Sequence, residues 1–130
     1  MTLLRFGSGG PWEAMIGYSR VVVRGDAAWV SGTTALVDSK VAHPGDVAAQ
    51  AREAFANLAS ALERAGFTLA DVVRTRMYLT DIGRWEELGR VHGEVFRDIR
   101  PATAMIGVAA LLDPAMLVEV EADAVRGAGA

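Results

Sequence analysis

"LVEVEADAV", Leu117 to Val125, alternates apolar residues with others and sets Glu119, Glu121 and Asp123 on every second position. As a strand it turns Val118, Val120, Ala122 and Ala124 to one side and all three carboxylates to the other. One side suits a core; the other needs water, cations or a partner. A second segment, "VVRTRMYL" (Val72 to Leu79), has the same two-sided character. Val73, Thr75, Met77 and Leu79 share one side, and Arg74, Arg76 and Tyr78 the other. Paired in one sheet, these strands place opposite charges on a single surface, where cross-strand ion pairs form or one carboxylate is left in a cleft to manage a proton.

Two helices supply the cover for the apolar side. In Asp46 to Gly66, Val47, Ala51, Phe55, Leu58, Leu62 and Ala65 recur at helical steps. Pro44 suits the opening turn, Asp46 the positive end of the dipole, and Gly66 the stop. Leu69 to Asp71 form a short turn. Thr80 or Asp81 caps the second helix, whose stripe is Trp85, Leu88, His92, Val95, Phe96 and Ile99. "YSRVVVRGDAAWVSGTTAL" opens the domain as a hairpin, Tyr18 to Arg24 and Ala27 to Gly32, turning at Gly25-Asp26. Strands at about Ala102 to Val108 and Leu117 to Val125, separated by a turn at Asp113-Pro114, complete a β-β-α-β-α-β-β order. Two apolar stripes and one sheet give an α+β domain with both helices on one face, leaving the other face for a subunit partner.

The 130 residues fit a single domain, 1–130. Cysteine is absent, which excludes disulfides and thiol chemistry and fits a reducing cytoplasm. His43 and His92 stand far apart and no cluster has metal-ligand spacing, so no metal is expected. The net charge of −3 and the lack of a basic run argue against nucleic acid as a partner. No signal peptide or membrane-spanning run is evident. A hydrophobic fraction of 52% in so small a domain points to an oligomer, and the terminal "GAGA" (Gly127 to Ala130) is expected to fray.

Several strings, in order along nearly the whole chain, resemble the Rid family of reactive-intermediate deaminases, also called YjgF-like or L-PSP endoribonuclease-like proteins. They are "IGYSRVV" (Ile16 to Val22), "WVSGTTA" (Trp29 to Ala35), "DVAAQAREAFANLASALERAG" (Asp46 to Gly66), "DVVRTRMYLTDI" (Asp71 to Ile82) and "RPATAMIGVAALLDPAMLVEVEADAV" (Arg100 to Val125). The resemblance implies a chorismate-mutase-like fold with a mixed sheet, a homotrimer with clefts between subunits, and, for the best-known branch, cofactor-free hydrolysis of reactive enamines and imines to keto acids and ammonia. It implies that Glu119 is the catalytic glutamate that positions water, that Tyr18, Ser31 and Gly32 line the cleft, and that the water-holding carbonyl lies near Met105. The family's carboxylate-clamping arginine is replaced: "PAR" reads "PAT", leaving Thr103. The usual asparagine of the second helix becomes Gly89, and "GPY" shortens to "GY".

A threonine offers one hydroxyl and no charge where a guanidinium grips a carboxylate bidentately, so a 2-imino acid is not the expected substrate. Arg76, and less so Arg74, could supply a displaced cation, against pairing with Glu121 or Asp123. Trp12 and Trp29 could wall a pocket or simply pack, His92 reads as a core or seam histidine, and His43 as a surface one. The functional expectation is an imine or enamine hydrolase with a small-molecule ligand at subunit interfaces. A non-catalytic binding or regulatory trimer is the alternative, and an endoribonuclease the more distant one.

Overall fold

The computed structural model describes residues 1–127. The fraying expected of the terminal small-residue run falls, beyond Gly127, outside the described residues. In chain order the elements are β1 (Leu3–Phe6), α1 (Glu13–Ile16), β2 (Val21–Arg24), β3 (Ala27–Thr33), β4 (Leu36–Val37), β5 (Lys40–Val41), α2 (Val47–Arg64), β6 (Val72–Leu79), α3 (Trp85–Phe96), β7 (Ala102–Gly107) and β8 (Val118–Val125). Six strands form one mixed sheet in the order β1-β2-β3-β8-β6-β7, with β4 and β5 as a separate small ribbon. Only β6 and β7 run parallel within the large sheet. The architecture is α+β, a chorismate-mutase-like arrangement with both main helices on one sheet face.

The opening hairpin turns where the sequence says: Arg24 faces Ala27, and Gly25 takes φ +58° between them. Its Val21, Val23, Ala28 and Val30 are buried, and they meet the stripe of α2 and the inner side of β8 in one core. Asp46 caps α2 by accepting from the Ala49 N–H at 3.0 Å. The helix begins at Val47, so Pro44 lies in the turn before it rather than in its first turn. Gly66, at φ +87°, ends the rod.

Two other expectations are corrected. Trp85 opens α3 but is 54% exposed, and Val91 takes a buried place on that helix. Val73 is 39% exposed because the β6·β8 register shifts between Val72 and Arg74, which turns Val72 inward and restores Thr75, Met77 and Leu79 to the core side. His92 packs between Phe55 and Phe96, and its Nε2 is 2.8 Å from the Thr75 hydroxyl. Burial lowers its pKa. Elements of two to four residues, β1, α1, β4 and β5, escape the periodicity reading because they are too short to show a period. Among the described residues no helix is long and apolar enough to cross a membrane.

Candidate functional site

The site begins with a glutamine inside the core. Gln50, fully buried on α2, donates from Nε2 to the carbonyls of Ala115 (2.9 Å) and His43 (3.3 Å) and accepts from the Leu117 N–H (2.9 Å). These bonds fix the chain as it enters β8, and Glu119 follows two residues later, opposite Tyr78 of β6. On its other flank, the β3·β8 register shifts between Val30 and Thr33, which places Gly32 within the irregular stretch. A Cβ at Gly32 would stand 2.8 Å from Glu119 Cδ and closer still to Oε2. The carboxylate occupies the space of the missing side chain, so any larger residue there would push it aside.

Arg20 ties the same corner together. Its Nη1 donates to the carbonyls of Ser31 and Gly32 and, at 3.0 Å, to the Thr33 hydroxyl; its Nη2 donates to the Tyr18 hydroxyl at 3.2 Å. Glu13, 3.8 Å from Arg20 Nε, balances much of the charge. Burial works against ionising Glu13, but hydrogen bonds from Ser8 and Gly10 and the charge of Arg20 hold its pKa below the ordinary value.

These groups border a cavity of about 370 Å³, within the range of small-ligand sites. Its wall runs from the Ser8–Trp12 loop past Tyr18 and Arg20, the end of β3, the β4–β5 ribbon and one flank of α2 to Met116 and Glu119. Glu119 makes no hydrogen bond among the described residues. Burial foremost, then the charge of Glu121, raises its pKa, while Arg20 pulls it down. The arrangement therefore offers a desolvated carboxyl able to hold or release a proton beside an open void.

Of the residues singled out from the sequence, Tyr18, Gly32 and Glu119 line this cavity, as does Trp12. Ser31 does not; its hydroxyl donates to the Ser19 carbonyl at 2.6 Å in a neighbouring depression. Thr103 is exposed on β7, where its Oγ1 accepts from the Thr75 hydroxyl at 2.7 Å, and Met105 lies on the same strand packed against the core. Within one chain neither joins Glu119. Arg76 stands on the outer sheet face, 3.8 Å from Glu121 and 3.6 Å from Asp123. Tyr78 donates to Glu121 at 2.6 Å, which raises the phenol's pKa to about 12. Trp29 is 47% exposed, and His43 is exposed beside Glu53.

Sequence reasoning missed Arg20, Asn57, Ser60 and Arg64, all cavity-lining. Arg20 lies two residues beyond Tyr18 in an extended run, and Asn57, Ser60 and Arg64 share the polar flank of α2 at three- and four-residue steps, so both patterns were available. Among the described residues no group of three or more His, Cys, Asp or Glu is placed to hold a metal.

Comparison with known proteins places this geometry in context. The family model for Endoribonuclease L-PSP matches residues 11–126. A crystal structure from Mycobacterium tuberculosis, described as a member of the highly conserved YjgF/YER057c/UK114 family, is 48% identical, superposes with a TM-score of 0.87, and aligns over 95% of this chain and 99% of that one. An uncharacterized protein of Streptomyces coelicolor is 37% identical over 124 residues, 95% of this chain and 92% of that protein. The 2-iminobutanoate/2-iminopropanoate deaminase of Rattus norvegicus is 35% identical over 111 residues, 85% of this chain and 80% of that protein. With a desolvated glutamate beside a glycine in the wall of its cavity, and with these relatives along almost its whole length, the chain belongs to the Rid/YjgF family, also named Endoribonuclease L-PSP.

Proposed function

We propose that this protein hydrolyses the C=N bond of a small imine, or of the enamine that tautomerises to it, in the cavity bordered by Glu119. The observation that carries the reading is the Glu119 carboxyl itself: it reaches a void, has no hydrogen-bond partner among the described residues, and is raised in pKa by burial. In the proposed step the oxygen of water adds to the imine carbon and Glu119 takes a proton from that water. The proton then passes to nitrogen, and the carbinolamine collapses to a carbonyl compound and ammonia. Tyr18 faces the same void, and Gly32 leaves the carboxylate its room.

The deaminase name of the rat relative supports the reaction class. The substrate proposed here differs from a 2-imino acid because Thr103, where the family resemblance puts an arginine clamp, carries no charge. A homotrimer is part of the proposal: exposed Trp29, Ile106 and Val125 give the outer sheet face apolar surface for a copy of the chain to cover. The reading puts the protein in the cytoplasm, in keeping with its lack of cysteine.

The test generates imines in place with amine and amino-acid oxidases and follows ammonia release with wild type and Glu119→Gln. Accelerated release by wild type, lost in the variant, is the expected result. Equal rates with both proteins across the panel would overturn the mechanism, and light scattering of the purified protein decides the trimer.

A further inference from the structure

Four kinds of polar group face the cavity: the Glu119 carboxyl, the Arg20 guanidinium, the Arg64 guanidinium, and a set of hydroxyls and amides that includes Ser60 and Asn57. Arg20 is committed. It donates to three groups at the end of β3 and to Tyr18, and Glu13 lies beside it. Arg64 is not: among the described residues it has neither an ion pair nor a hydrogen bond, although it lines the same void from the last turn of α2. A cation at a helix C-terminus is favoured by the dipole there. That preference does not require the guanidinium to border a cavity with a hydroxyl one turn before it.

The position of Arg64 along the helix sets the length of what it can reach. Asn57 marks the end of the flank near the carboxylate, because its Nδ2 donates to the carbonyls of Thr34 (2.9 Å) and Leu36 (3.0 Å), just beyond Gly32 in the chain. Arg64 is seven residues further on, a rise of roughly 10 Å along the helix axis. A molecule with its reacting carbon at Glu119 and a length to match that rise would present to Arg64 a group several bonds away.

We infer that the cavity selects a substrate with a carboxylate remote from its C=N group, the acid held by Arg64 and Ser60 and the C=N end by the Glu119 corner. This rests on the hydrolase reading above and names its substrate class: an imine of an oxo acid whose acid lies several carbons from the carbonyl. Guanidinium and carboxylate match in a two-bond geometry, and the open end of the cavity lets the acid stay partly hydrated.

The test measures binding of product-like carbonyl compounds by calorimetry, with no turnover needed. Wild type is expected to bind 5-oxohexanoate about tenfold more tightly than the uncharged 5-oxohexanamide, the gain of a single charge-assisted contact, and more tightly than pyruvate. Arg64→Met collapses the acid-to-amide ratio towards one, and Arg64→Lys keeps part of it. Because Arg64 is exposed, a folded variant is expected, and circular dichroism checks it. Equal binding of acid and amide by wild type overturns the inference, as does an unchanged ratio in Arg64→Met, or inorganic phosphate binding as tightly as the oxo acid. The ratio is independent of catalysis, so it stands or falls apart from the Glu119→Gln kinetics that decide the hydrolase reading.

Discussion

Glu119 and Glu121 are two residues apart on one strand and leave it on the same face, yet they have different chemistry. Glu121 accepts from Tyr78 at 2.6 Å and lies 3.8 Å from Arg76, inside a web that also holds Asp123. Among the described residues Glu119 has no such partner, and burial raises its pKa. The strand supplies the same residue type twice, and its neighbours decide the role. β3 bulges opposite Glu121, but on the β6 side that carboxylate finds an arginine and a phenol. Beside Glu119 a glycine takes the place of a side chain and the wall opens. The difference teaches that in an acidic row the carboxylate left without a cross-strand partner, beside a missing side chain, is the one available for chemistry.

The comparison breaks most directly by removing each acid in turn. Glu119→Gln is expected to lower kcat/KM for imine hydrolysis by about 10²-fold or more, the usual worth of a positioned acid–base group, while Glu121→Gln keeps most of the activity. Steady-state kinetics on both variants measure the contrast, and similar losses would erase it.

A gentler way is to fill the gap and leave the carboxylate in place. Gly32→Ala drives a methyl group into Glu119 and displaces it, with a loss of up to about 10²-fold in kcat; a crystal structure of the variant is expected to show the carboxylate rotated from its position. Gln50→Leu acts from further away. It leaves the Leu117 N–H and the Ala115 carbonyl without partners, at a cost of about 1–3 kcal/mol in denaturant unfolding, and loosens the start of β8.

Stability against pH sharpens the contrast. Glu119 releases its proton less readily folded than unfolded, so it contributes a fall in stability as pH rises from the ordinary glutamate value through its raised one. Glu119→Gln removes that fall. The variant is expected to melt higher than wild type at neutral pH, with the gain fading in acid. Arg76→Ala should change least, by about 1 kcal/mol or less, because its pairs are partly exposed and screened by salt.

Much of the fold was legible because it is periodic. The stripe of α2, the alternation of β8 and the hairpin at Gly25 each repeat a pattern over enough residues to be read. Val73 defeats that reading because a bulge inverts the alternation at one point, and a bulge leaves no mark in polarity alone. In the site, Glu119, Tyr18 and Gly32 were legible through their motifs. Arg20 was passed over because an arginine in an extended run reads as solvated until the chain folds Ser31, Gly32 and Thr33 around it. Gln50 was missed for a related reason: it interrupts an apolar stripe, and only its partners 65 and 67 residues away explain why it is buried.

The Thr75 hydroxyl sits between His92 Nε2 at 2.8 Å and Thr103 Oγ1 at 2.7 Å, and a hydroxyl has one proton to give. When Thr75 donates to Thr103, the imidazole must carry its hydrogen on Nε2; when Thr103 donates inward, Thr75 turns to a bare Nε2 and the hydrogen resides on Nδ1. The tautomer of a ring enclosed by two phenylalanines is thus dictated by how an outward-facing threonine spends its own hydrogen, and nitrogen NMR of that ring reports on the edge strand without a probe placed there.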